Sequence, residues 1–163
     1  MLERKPTLLI DNREKRPLDF NFIKQHGWDV KEQALHIGDI SCEGLINSCT
    51  FERKSAVDLV MCCCSKEHAR FQKEIITLRG FKCKNIVVEA DYEQIEKGLD
   101  DNGKPWRSQA TPEVVLKVVH TFEIRYDVQF VFMKDREASA RYIFRKMNRY
   151  YELCKDWVKL FQI

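Results

Sequence analysis

The stretch that most constrains the fold runs from Gly38 to Asp58, GDISCEGLINSCTFERKSAVD. It opens on Gly38-Asp39, closes on Glu52-Arg53-Lys54, and carries Asp58 four residues further on. Between them the pattern predicts strand, turn and strand: Ile40 to Glu43, Gly44, then Leu45 to Phe51. Folding this run into a hairpin sets Asp39 across from the Glu52 region, because neighbouring strands lie only ~4.8 Å apart. Glu52 and Lys54 share one face of their strand, roughly 6.6 Å apart along it. Two carboxylates and one ammonium then converge on a point. Such a point holds a hard divalent cation and activates water.

A lone Glu-x-Lys on a strand is most often a solvated face. Here it has company: apolar Leu8-Leu9-Ile10 ends in Asp11, Gly-Asp starts a hairpin, and Glu-Arg-Lys ends a strand. Acidic groups gathered at strand ends repel one another unless a cation lies between them. Gly38-Asp39, a spacer, Glu52-Arg53-Lys54, three residues and Asp58 resemble the signature of the XPF-type (xeroderma pigmentosum group F) structure-specific endonucleases. Asp11-Asn12-Arg13-Glu14 is similar to that family's Asp-x-Arg-Glu. The resemblance continues through Arg70-Phe71 and the strand from Ile86 to Glu89. It implies metal-dependent cleavage of DNA at junctions between single and double strands, leaving a 3′-hydroxyl and a 5′-phosphate. Larger members carry a tandem helix-hairpin-helix domain after the nuclease. Residues 1–163 are expected to form a single nuclease domain without one, like the short stand-alone members of bacteria and phages.

The 163 residues suffice for one domain with an ordinary core. No apolar run approaches the ~20 residues that span a membrane, and the N-terminal MLERKPTLLID lacks the apolar region of a signal peptide. The expected setting is the cytoplasm, with no membrane partner. Of the seven cysteines, Cys62-Cys63-Cys64 are consecutive, Cys42 and Cys49 flank the hairpin, and none shows zinc-site spacing. All seven are expected to be free thiols packed as small apolar residues. A net charge of +3 does not by itself predict a nucleic acid partner, but its distribution is informative. Lys66, Arg70, Lys73, Arg79, Lys82 and Lys84 form one basic stretch. Lys134, Arg136, Arg141, Arg145, Lys146, Arg149, Lys155 and Lys159 form another. Solvated helix faces account for any single lysine, yet a basic side beside a carboxylate site is what a phosphodiester needs.

Along the chain, residues 7 to 11 predict a buried strand, Arg13 to Pro17 a charged loop, and Phe20 to His26 a short helix closed by Gly27. Trp28 to Leu35 predicts a second strand, and the hairpin follows. Ser55 N-caps the next helix with Asp58 three residues on, which gives Asp58 a sufficient structural role in capping or in supporting the site. After a break near Ser65, Phe71, Ile75 and Leu78 recur at helical spacing, while Arg70 and Glu74 are i,i+4 neighbours that can pair. Ile86-Val87-Val88 reads as the centre of a sheet covered on both faces. Asp91 caps a helix ended by Gly98, and Leu99 to Gln109 is a loop with an Asn102-Gly103 turn. Trp106-Arg107 in that loop either stacks on a base or anchors the loop to the domain. Thr111-Pro112 starts a helix with Val114, Val115, Val118, Val119 and Phe122 as its stripe. Val128 to Phe132 is the last strand. The final helix, from about Glu137, carries Tyr142, Phe144, Met147, Tyr150, Tyr151 and Trp157. Those aromatics either cover their own sheet or mediate a homodimer. The element order gives an α/β three-layer sandwich with a central mixed sheet, similar to restriction-endonuclease-like nucleases.

The leading expectation is hydrolysis of a DNA phosphodiester. Asp39 and Glu52 bind Mg²⁺, with Mn²⁺ as substitute, together with the Arg53 carbonyl and water. Asp11 either completes the shell or binds a second ion. Lys54 either positions the attacking water or stabilises charge on the scissile phosphate. Arg13 and Arg53 orient phosphate or the carboxylates, and Glu14 supports them. By resemblance Arg70 faces the groove. Lys73, Lys15 and Arg16 join it as DNA contacts, with Trp106 and Arg107. The rival reading is a DNA-binding partner subunit of a repair or recombination complex with a degenerate site. Pseudonucleases of the family lose the acidic and lysine positions, whereas Asp39, Glu52 and Lys54 all stand here.

Overall fold

Short runs of aliphatic and β-branched residues supply the strands, and longer amphipathic runs supply the helices that cover them. A computed structural model of the protein describes residues 5–160, with side chains to Val158. The strands are β1 (Thr7–Asp11), β2 (Asp29–Gln33), β3 (Ile40–Cys42), β4 (Cys49–Lys54), β5 (Cys83–Val88) and β6 (Phe130–Phe132). They form one sheet in the order β2-β1-β3-β4-β5-β6. β1 pairs parallel with β2 and antiparallel with β3, β3 is antiparallel to β4, and β4, β5 and β6 run parallel. Two antiparallel steps restore the direction, so β1, β4, β5 and β6 all point one way and β3 begins where they end. Asp11, Asp39, Glu52 to Lys54 and Glu89 therefore meet along a single edge.

Helices cover both faces, as the apolar run Ile86-Val87-Val88 of β5 demands. On one face lie α1 (Ala56–Cys64), α2 (His68–Leu78), α3 (Tyr92–Glu96) and α4 (Pro112–Tyr126), packed on Ile86 and Val88. On the other, α5 (Arg136–Leu160) and the 3-10 turn Asn21–His26 pack on Val87, Phe51, Leu8 and Ile10. Alternate residues of β5 thus serve opposite cores, the period of two that a strand dictates. The result is the three-layer α/β sandwich with a central mixed sheet. Among the described residues no helix is long and apolar enough to cross a membrane. All seven cysteines are free thiols, and only Cys64 is exposed.

Several local expectations are adjusted. The hairpin is shorter than the pattern implied: β3 ends at Cys42, and Gly44 (φ 80°) opens two successive turns before β4. Ser48 and Cys49 both donate their amides to the Leu45 carbonyl there. Small and polar side chains at Gly44, Asn47 and Ser48 favour turns over an extended strand. Val115, Val119, Phe122 and Tyr126 form the buried face of α4, leaving Val114 exposed. Thr111 precedes α4 without a side-chain cap, whereas Ser55 Oγ accepts from the Asp58 amide at 3.1 Å. On α5, Phe144, Met147 and Tyr151 are buried, and Tyr142 and Tyr150 pack half-buried beside them. Trp28 receives Phe144 edge-on at 5.6 Å and donates its indole N–H to Asn148. Most of the aromatic surface of α5 is spent on its own sheet.

Candidate active site

The centre of the strand-end edge is the β3–β4 hairpin. Asp39 donates its amide to the Phe51 carbonyl at 2.9 Å, and its carbonyl accepts from the Asp11 amide at 2.8 Å. Its carboxylate accepts from the Arg53 amide at 2.7 Å. Gly38 makes this approach possible. Its φ is +75°, and an added Cβ would stand 2.0 Å from Thr50 Oγ1. Beyond Asp39, Lys54 donates to Glu52 Oε1 at 2.6 Å, so the two side chains share a face. Lys54 also lies over the Phe71 ring, 5.2 Å from its centroid, which ties it to α2.

The electrostatics follow from this crowding. Burial, and then the Glu52 charge, push the Asp39 carboxyl up to about 8, against the Arg53 amide that favours its anion. Burial opposes the Lys54 charge, but the neighbouring anions, Glu52 foremost, outweigh it and raise the ammonium above its usual range. Asp39 and Glu52 are two carboxylates that cannot both be anionic cheaply. The Lys54 ammonium, hydrogen-bonded to Glu52, is a cationic partner that the described residues supply to this pair.

The other predicted residues divide. Asp11 is buried and turned to Arg13, which donates Nε to both of its oxygens at 3.0 and 3.1 Å and its backbone amide at 2.9 Å. Arg13 holds that carboxyl below the usual carboxylate range and also donates to the Leu35 carbonyl. Asp11 thus pairs with Arg13 while also lining an open cleft beside Asp39 and Glu52. The Arg53 guanidinium, 8% exposed, turns to Glu89, Glu14 and the Arg16 carbonyl. Asp58 is exposed at the rim.

Glu89 and Arg136 belong to this edge and were missed. Glu89 accepts from Arg53 through one oxygen and from Arg136 Nη1 at 3.0 Å through the other. Arg136 further donates to the Arg16 and Pro17 carbonyls at 2.9 and 2.8 Å. Two guanidiniums and two carboxylates thus pin the charged loop 14–17 to the sheet, each buried charge paired. A signal existed for Glu89: it directly follows the apolar Ile86-Val87-Val88, as Asp11 follows Leu8-Leu9-Ile10. Asp101, from the long loop, accepts from the Ala56 amide at 2.6 Å and so caps α1, which nothing local in sequence announces.

Two open clefts, of about 880 and 840 Å³, meet over the site and share Asp39, Glu52, Arg13, Glu14, Lys15 and Arg70. Lys73 lines the second and Arg16 the first. Arg70 is exposed and pairs with both Glu67 and Glu74, the i,i+4 contact its helix spacing gives. Trp106 lines neither cleft. Its ring packs on the α1–α4 core and its N–H donates to the Ala110 carbonyl at 2.9 Å, so it anchors the loop instead of offering a stacking face. Arg107 is exposed beside it and likewise lies off both clefts. Among the described residues no three His, Cys, Asp or Glu side chains gather as a metal cage. The donor set is sparse, Asp39 and Glu52, which fits an ion that keeps several waters, as Mg²⁺ does.

A mixed sheet between two helical layers, with acidic and basic groups at the strand ends, defines the restriction-endonuclease-like class. Within that class the chain belongs to the ERCC4 domain family, whose model matches residues 10–145. Two solved structures of XPF from Aeropyrum pernix share the fold. One, in complex with DNA, has a TM-score of 0.67 and 17% identity over 90% of this chain and 66% of that one. The other has the same TM-score and identity over 88% of this chain and 61% of that one. The chain thus spans less than two thirds of the length of those proteins. No curated protein matches it.

Proposed function

We propose that the protein is a metal-dependent DNA endonuclease acting through one nuclease domain on branched or junction-containing DNA. The carrying observation is the half-buried Asp39 carboxyl, raised by desolvation and then by Glu52, beside a Glu52–Lys54 pair where two clefts meet. Asp39 and Glu52, with the Arg53 carbonyl and water, are the groups to hold Mg²⁺ or Mn²⁺. Bound there, the ion supplies an activated water and neutralises phosphate charge. Lys54, fixed by Glu52 and Phe71, stabilises the charge that develops on the phosphate. The Arg53–Glu14–Glu89–Arg136 network keeps the loop carrying Lys15 and Arg16 beside the cleft. Family membership supports the nuclease reading, and the DNA in one matched structure supports the substrate class. A homodimer through α5 would have only Trp157 and Val158 as exposed large apolar side chains among the described residues of that helix, so its test is the oligomeric state in solution rather than the helix surface.

The test is cleavage of labelled flap, fork, splayed-arm and plain duplex DNA with Mg²⁺, with Mn²⁺ and with chelator. Asp39→Asn and Glu52→Gln are expected to lose cleavage by about 10²-fold or more while DNA binding survives. Chelator abolishes cleavage, and Lys54→Ala is inactive with metal affinity little changed. Activity of both carboxylate variants within tenfold of the parent overturns the site.

A further inference from the structure

The basic stretch on α5 is not absorbed by the catalytic edge. A third cleft, of about 740 Å³, begins at Arg136, which also lines the active-site cleft, and runs along the N-terminal half of α5. Its helix wall carries Arg141 and Arg145. Its opposite wall is the 3-10 turn with Phe22 and His26. Phe22 meets Phe144 edge-on at 5.7 Å, and the exposed His26 ring lies 5.3 Å from the same Phe144. Two carboxylates also line it. Asp19 is engaged with the Asn21 amide of its own turn, and Glu137 with Arg141. Arg145 is exposed and has no ion-pair partner among the described residues. On the far side of Arg141 and Arg145 a smaller groove, of about 470 Å³, adds Lys146.

A cationic wall facing an aromatic one, open to solvent, is the surface that takes a single nucleic acid strand. Phosphates meet the cations and bases meet the rings, with no reading of sequence. A duplex has its bases stacked inside and can use only the cations. The geometry points to a single-strand exit track: one unpaired DNA strand leaves the active site past Arg136 and lies along α5, its phosphates on Arg141 and Arg145 and a base against Phe22 and His26. This rests on the nuclease reading for its direction, and explains how a junction is told from a plain duplex.

The test uses the full chain in chelator, so that nothing is cut, and follows fluorescence anisotropy of a blunt duplex and of the same duplex with an oligothymidine tail. The Arg141→Gln, Arg145→Gln double variant is expected to bind the tailed DNA about tenfold more weakly. The slope of log K against log salt should fall by about 1.4, at ~0.7 for each lost single-strand phosphate contact. Blunt duplex binding stays within about twofold, and Arg145→Glu alone weakens only the tailed DNA. Unchanged affinity and slope on tailed DNA overturn the track, as does an equal loss on blunt duplex. Cleavage by the wild type together with unaltered variants sinks the track alone. Selective weakening together with no cleavage in Mg²⁺ or Mn²⁺ supports the track and sinks the catalytic reading.

Discussion

On the proposed reading Asp39 is the residue on which the chemistry turns, and its surroundings give it a readable signature. Burial and the Glu52 charge lift its carboxyl to about 8, so near neutral pH Asp39 holds a proton that, on the proposed reading, a bound cation would displace. Metal and proton then compete. Apparent Mn²⁺ affinity should rise with pH and level off above about 8, with proton release on binding. Calorimetric titration in two buffers of different ionisation enthalpy counts those protons. Asp39→Asn should flatten the pH profile, and a wild-type affinity independent of pH between 6 and about 8 would contradict the assignment. Asp11 behaves oppositely. Arg13 holds its pKa down, so that pair adds stability above the unfolded carboxylate pKa, and this is lost as pH falls through the lower folded value. Two aspartates at neighbouring strand ends thus have their carboxyls shifted in opposite directions, Asp39 up and Asp11 down.

At the scale of elements, the hairpin is set by one glycine more than by its strands. Gly38 and Gly44 both hold positive φ, +75° and +80°, but only Gly38 has neighbours where a Cβ would go. Gly44→Ala should cost about 1–2 kcal/mol, the left-handed penalty alone. Gly38→Ala meets Thr50 Oγ1 and the Phe51 carbonyl as well, and should cost at least about 1 kcal/mol more. Urea unfolding of both variants measures the difference, and equal costs would mean that Thr50 turns aside freely. The Gly-Asp, the spacing to Glu-x-Lys and the hairpin between them were legible, because they follow from short-range pairing and a period of two. Ser55 and Asp91 as caps were legible for the same local reason. The partners of Arg53 were not. Glu14 and Glu89, and Arg136 that pairs with Glu89 in turn, come from three distant segments, and only the assembled sheet brings them together. Trp106 was ambiguous in sequence because a loop aromatic has the same composition whether it anchors or stacks; packing against α4 and the Ala110 carbonyl decides.

At the scale of the molecule, the aromatic excess on α5 is the feature whose meaning changed most. Counted along the sequence, six large side chains exceed one core-facing stripe. In the fold Trp28 meets both Phe144 and Tyr151, so Phe144, Met147 and Tyr151 are buried with Tyr142 and Tyr150 beside them. What α5 leaves to solvent among its described large apolar side chains is Trp157 and Val158, 42% and 43% exposed. Two half-exposed residues offer far less than the ~800 Å² per partner that a stable interface buries. Trp157 rests on the edge of Tyr150 at 6.5 Å, and its replacement by a charge is expected to disturb stability by no more than about 0.5 kcal/mol. Wild type and Trp157→Glu should therefore sediment alike at tens of micromolar and cut DNA at the same rate. A wild-type dimer that Trp157→Glu dissolves would return α5 to the role of an interface. The second grip on DNA would then come from a second copy of the chain rather than from the track along the helix.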